Sequence, residues 1–153
     1  CMTGWRLGYA ILPPALVDAF VRLTANSVTC STTFVQHAAV RALRGPQDCV
    51  RTMVDEFRSR RDLLVRRLNG MKGIRCHVPS GAFYAFPDVT GLGIDDVELA
   101  RRLLDEAGVA TLAGSVFGQQ GKGYLRLAYT TKRSSIEKAL DRMESLVAGL
   151  GSR

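Results

Sequence analysis

Two arginines stand where a charge is expensive to place. Arg6 lies in GWRLGYA and Arg126 in YLRLAYT, both apolar, strand-like runs. A guanidinium in such a setting must meet an anion or line a cleft, because an unpaired buried charge is strongly destabilising. Its planar fork of N–H donors matches the oxygens of a carboxylate or a phosphate. Either residue taken alone fits an exposed edge strand equally well. Together, beside the glycine-rich GSVFGQQGKG, they suggest a site for a substrate with two anionic groups.

Other catalytic sets are thin. His37 and His77 fall on a predicted helix and a predicted strand with no partner implied, which favours structural or surface roles over ligation or base catalysis. GQQGKG places a lysine near glycines but lacks the Ser or Thr that completes a nucleotide phosphate loop, so it reads as a flexible loop. Cys1, Cys30, Cys49 and Cys76 show no CxxC spacing, which argues against a zinc site or a redox pair and for a reducing cytoplasm. No apolar run approaches the length of a membrane span. The formal net charge of +7 invites a nucleic-acid partner. Much of that charge sits in RSRRDLLVRR, where Arg58, Arg60, Arg61, Arg66 and Arg67 share a segment with apolar Val54, Phe57, Leu64 and Leu68. This is the pattern of a solvated helix face rather than a basic binding stripe.

The elements that must position the two arginines can be read from periodicity. After the opening strand-like run, PPALVDAFVRLTA starts as a helix on its proline pair and repeats Leu16, Phe20 and Leu23 at helical spacing. The polar NSVTCSTT interrupts it, and FVQHAAVRALRG forms a short helix closed by Gly45 and Pro46. A long helix follows from about Asp48 to Asn69. IRCHV and AFYAFPD are strand candidates around the turn-forming PSG, and alternation requires that one of Phe83 and Tyr84 face the core. In DDVELARRLLDEAG the Asp95–Glu98 spacing predicts a capped helix ending at Gly108. VATLA and YLRLAYT are further strands. Ser134 and Glu137 match a capping box for a last helix whose stripe is Ile136, Leu140, Met143, Val147 and Leu150. This order predicts an α/β unit with a small, largely antiparallel sheet and a change of unit near Gly45–Pro46.

MTGWRLGY, PSGAFYAFPD and GVATLAGSVFGQQGKGYLRLAYT, in this order and at these separations, resemble the C-terminal part of the fold-type I, aspartate aminotransferase-like, pyridoxal-phosphate-dependent enzymes, class I/II. The resemblance covers nearly the whole chain. It implies that residues 1–45 carry the last strand and helices of a large cofactor-binding domain and residues 46–153 a small C-terminal domain. Arg6 corresponds to the family arginine that binds the phosphate of pyridoxal 5'-phosphate, and Arg126 to the arginine that holds the substrate α-carboxylate. The cofactor-binding Schiff-base lysine is expected just ahead of Cys1, so the chain alone is expected to be inactive. The resemblance further implies amino-acid and 2-oxo-acid substrates and a homodimer, with NSVTCSTT at the dimer interface; the charge pattern and the lack of a long apolar run lead us to expect neither nucleic acid nor membrane as partner. Ala113, Ala128 and Thr130 depart from the family's usual proline, serine and alanine, and they leave the substrate class open. Lyases and synthases share the fold, and so does the aminotransferase-like effector domain of some transcription regulators.

Overall fold

The computed structural model describes residues 2–150; Cys1 and residues 151–153 lie outside the described residues. The chain divides into two compact units, one running through Cys49 and the other starting at Val50.

In the first unit the strand expected at MTGWRLGYAIL is not formed. Thr3–Trp5 make a 3-10 turn flanked by Met2 and Arg6, both left-handed with φ 48° and φ 51°. Two non-glycine residues with positive φ take the chain out of the pleat, and among the described residues this segment has no ladder partner. Helix α1 (Pro14–Ser27) begins with proline in its first turn. Its apolar stripe is not a core face here: Leu16, Phe20 and Leu23 are all exposed, and no α1 residue is buried. Helix α2 (Thr33–Arg44) ends at Gly45, whose N–H bonds to the Arg41 carbonyl, and Pro46 follows. Trp5 packs edge-on against Phe34 of α2 with ring centroids 6.1 Å apart.

Helix α3 (Asp48–Gly70) buries Leu63, Leu64, Val65 and Leu68 in its second half, while Val50 and Val54 are exposed. Its arginines are largely matched: Arg58 pairs with Asp55, Arg60 with Glu56 and Arg61 with Asp62, the arrangement of a solvated face. Arg67 reaches Asp141 at 2.7 Å and Glu144 at 2.8 Å, and these contacts hold its guanidinium pKa above the usual arginine value.

The second unit's sheet has three short antiparallel strands in the order β1-β3-β2, where β1 is Tyr84–Ala85, β2 Leu112–Ala113 and β3 Leu125–Ala128. The expected strand IRCHV shrinks to a single bridge, Arg75 to Asp88. The side chain of Asn69 explains the loss: it accepts the Cys76 N–H at 2.8 Å and donates to the Cys76 carbonyl at 2.9 Å, taking both groups that a neighbouring strand would have used. Helix α4 (Asp96–Asp105) is capped as expected by Asp95, which accepts from the N–H groups of Val97 and Glu98. The Glu98 side chain turns to Arg101 instead of completing the box.

Helix α5 (Arg133–Leu150) starts one residue before Ser134, so the expected Ser134–Glu137 capping box is absent, and Glu137 bonds to Arg133. Its stripe is buried as expected at Ile136, Leu140, Met143 and Val147, with Leu150 at the edge. These residues join Leu68, Leu99, Leu103, Leu125 and Tyr129 in one core. Each large aliphatic side chain fully withdrawn from water contributes about 2 kcal/mol. Among the described residues no helix is long and apolar enough to cross a membrane.

Candidate active site

Arg126 sits on the central strand between two aromatic rings. Its neighbour Leu125 is fully buried, and strand alternation turns Arg126 to the other face. Register sets Arg126 opposite Leu112 on β2 and one step diagonal to Tyr84, which pairs with Ala128 on β1. The Arg126 Cζ lies 4.5 Å from the centre of the Tyr84 ring and 4.7 Å from that of Phe117. Phe117 in turn meets Phe86 edge-on, and Phe86 stacks on Tyr124 with centroids 5.3 Å apart. The choice that alternation leaves between Phe83 and Tyr84 is thereby made: Phe83 stacks toward Phe57 and the core, and Tyr84 faces the arginine.

Among the described residues no carboxylate, carbonyl or hydroxyl takes the N–H groups of Arg126, in contrast to the paired arginines of α3, α4 and α5. Two rings lie against a guanidinium whose N–H donors have no partner among the described residues, so those donors are available to an anion such as a carboxylate.

Phe117 reaches this position because its turn is pinned from below. Residues Gly114–Phe117 and Gln119–Gly121 form successive 3-10 turns, so GQQGKG is a compact structure rather than a flexible loop. The backbones of Gly114 and Gly121 meet so closely that neither position has room for a Cβ. Asp96, only 1% exposed, accepts the Ser115 N–H at 2.9 Å and approaches the Gly123 N–H at 3.4 Å. Burial alone would raise the pKa of this carboxyl group, but the Ser115 and Gly123 bonds outweigh it and hold it below the ordinary carboxylate value. Ala113, where the resemblance expects proline, has φ −61°, a value proline itself would adopt.

Arg6 lies in the other unit. It is exposed, donates a long 3.4 Å bond to the Thr3 carbonyl as its one side-chain bond among the described residues, and lines an open depression with Thr3, Gly4, Trp5, Thr32 and Phe34. One cation with the hydroxyl residues Thr3 and Thr32 is a donor set that suits a phosphate ester. Each arginine is thus placed within its own unit. His37 is exposed on α2, and His77 is exposed outside any helix or strand.

Sequence reading missed three contributors. Asp96 is hidden beside the capping Asp95, and acidic residues in a first helical turn are ordinary. The part played by Phe117 depends on how the glycine turn folds. The Tyr129 hydroxyl donates to the Ala82 carbonyl at 3.0 Å, a contact across 47 residues that no local pattern announces.

Comparison with known proteins bears on all of this. The chain is 41% identical over 148 residues to aromatic-amino-acid aminotransferase 2 of Thermococcus litoralis, covering 95% of this chain and 38% of that protein. It is 40% identical to an aspartate aminotransferase of Pyrococcus abyssi, with 95% and 38% of the two chains covered. The crystal structure of an aromatic aminotransferase from Pyrococcus horikoshii superposes with a TM-score of 0.89 at 37% identity, over 97% of this chain and 40% of that one. The chain therefore spans about two fifths of the length of these relatives. The family model described as aminotransferase class I and II matches residues 1–143, and with the shared fold the chain belongs to that family.

Proposed function

We propose that this chain provides the substrate-carboxylate and cofactor-phosphate arginines of an aminotransferase that moves an amino group between an amino acid and a 2-oxo acid. The observation that carries the reading is the guanidinium of Arg126, held between Tyr84 and Phe117 with its donor edges unpaired among the described residues. In this reading residues 1–45 belong to the end of a large domain and residues 46–153 form the small domain.

Pyridoxal 5'-phosphate, when bound, supplies an electron sink for the pair left behind as the substrate Cα loses its proton. Arg6, with Thr3 and Thr32 beside it, would hold the phosphate. Arg126 would bind the α-carboxylate through two parallel N–H···O bonds and so fix the orientation of Cα. Such fixing of a reacting bond is a large part of what an enzyme adds to the cofactor's own chemistry. The two rings add cation–ring contacts that hold the guanidinium in place for the anion.

The exposed apolar residues of α1, Phe20, Val21 and Leu23 among them, support a protein whose surface there is covered by a second subunit or by more of the large domain. The unbonded thiols of Cys30, Cys49 and Cys76 suit a reducing, cytoplasmic setting.

The test is replacement of Arg126 in the protein at its full natural length. Arg126→Ala is expected to lower kcat/KM for acidic, aromatic and aliphatic amino acids alike by roughly 100-fold, a loss of about 3 kcal/mol, with pyridoxal-phosphate affinity unchanged. Arg126→Lys keeps the charge, loses the fork and recovers only part of the activity. A loss limited to one side-chain class, or a loss of cofactor affinity, overturns the assignment.

A further inference from the structure

Ala82 adopts φ 57°, a left-handed conformation that a residue with a Cβ takes only against a steric cost. It sits two residues before Tyr84, whose ring covers one face of Arg126. Strain of this kind persists only where surrounding structure holds it. The far side of the turn borders an open depression of about 300 Å³ lined by Arg58, Pro79, Gly81, Ala82 and Tyr129, so close packing does not hold it there.

What holds it is Tyr129. This residue is 2% exposed, its hydroxyl donates to the Ala82 carbonyl at 3.0 Å, and its backbone N–H donates to the next carbonyl, that of Phe83, also at 3.0 Å. Its ring is itself fixed edge-on against Phe57, with centroids 6.3 Å apart, and Phe57 also stacks with Phe83. Two consecutive carbonyls are thus gripped by one residue, three positions after Arg126 on the same stretch of chain.

We infer that Tyr129 is a positioning residue for carboxylate recognition: its hydroxyl holds Ala82 in the left-handed turn that sets the Tyr84 ring against the Arg126 guanidinium. This rests on the reading of Arg126 as the carboxylate arginine. Without the hydroxyl, Ala82 relaxes toward an ordinary backbone conformation, the start of β1 shifts, and Arg126 loses one of its two walls. Tyr129 touches no substrate and acts only through Ala82 and Tyr84.

The test uses Tyr129→Phe, Ala82→Gly and the double variant. In the protein at its full natural length, Tyr129→Phe is expected to raise KM for amino acids and 2-oxo acids about fivefold, whatever their side chains, the effect of one lost hydrogen bond. The kcat and the slow reaction of an amine lacking a carboxylate stay unchanged. Ala82→Gly removes the steric cost of the turn, so it restores most of the lost affinity in the double variant and has little effect alone.

A second readout needs no catalysis. In the protein at its full natural length, without substrate, the Arg126 side-chain N–H resonances are expected to be displaced by the ring currents of Tyr84 and Phe117. They move toward the free-arginine position in Tyr129→Phe and return in the double variant. An unchanged spectrum, a fall in kcat rather than a rise in KM, equal losses on the amine, or no rescue by Ala82→Gly overturns the inference. If Arg126→Ala spares carboxylate affinity while the resonances still respond to Tyr129→Phe, the brace stands and the role given to Arg126 falls instead.

Discussion

The carboxylate of Asp96 and the backbone N–H of Ser115 meet at 2.9 Å across 19 residues of chain, joining the first turn of α4 to the loop that carries Phe117. A bond between a buried charge and a loop amide ties the geometry beside Arg126 to the protonation of a residue that never reaches the site surface.

Asp96→Asn is expected to destabilise the second unit by about 2 kcal/mol, since a charged acceptor is exchanged for an amide whose one oxygen serves only one of the two N–H groups while its NH2 faces the other. At this unit's size the melting temperature falls by roughly 10 °C. The pH dependence follows from the direction of the shift. The folded-state pKa of Asp96 lies below its unfolded value, so its contribution is complete above the ordinary carboxylate pKa of about 4 and is lost as pH falls through the lower, folded value. Thermal melts of both proteins from neutral to strongly acidic pH should show their gap closing only below about pH 4.

Phe117→Leu removes one wall of the arginine while leaving the core untouched, because Phe117 is half exposed. A cation–ring contact is worth about 1 kcal/mol at a partly exposed site, so substrate KM should rise about fivefold while stability changes by less than about 0.5 kcal/mol. Steady-state kinetics beside a denaturant titration separates the two effects.

Asn69→Ala strips both partners from the backbone of buried Cys76. The cost is about 2–3 kcal/mol, read as a lower denaturation midpoint at unchanged slope. Asn69→Asp retains the acceptor for the Cys76 N–H and loses the donor, so its midpoint should fall between the other two.

The cysteines should separate by reactivity. Cys30 and Cys49 are exposed, whereas Cys76 is buried and its thiol pKa is pushed up by burial, with a weaker opposing effect from the Phe86 backbone. Under native conditions a thiol reagent should modify Cys30 and Cys49 and spare Cys76, which becomes reactive only on unfolding. Peptide mapping after timed labelling reads the result.

How much of this could be seen in the sequence depends on the range of each interaction. Helices α1 to α5 were legible because their signals, the proline pair, Gly45, Asp95 and the spacing of Ile136 to Val147, are local. Arg126 stood out because a charge interrupts an apolar strand. IRCHV misled because its alternation describes the residues and not the rival bond from Asn69. MTGWRLGYAIL misled because apolar content is shared by strands and by turns such as Thr3–Trp5. Ser134 misled because a motif match cannot see that Arg133 offers Glu137 a stronger partner. Asp96, Phe117 and Tyr129 were invisible for one common reason: each acts on a residue brought near only by folding.

The arrangement of the core has a bearing on how the protein is made. Leu68 of α3 is fully buried in the same core as Ile136, Leu140, Met143 and Val147 of α5, and the ion pairs of Arg67 to Asp141 and Glu144 bridge 74 and 77 residues. On a translating ribosome, α3 therefore leaves the exit tunnel well before the helix that covers it. At roughly 5–20 residues per second the nascent chain carries an unshielded leucine face for several seconds, a window in which chaperones, and not the native contacts, must keep it from sticking.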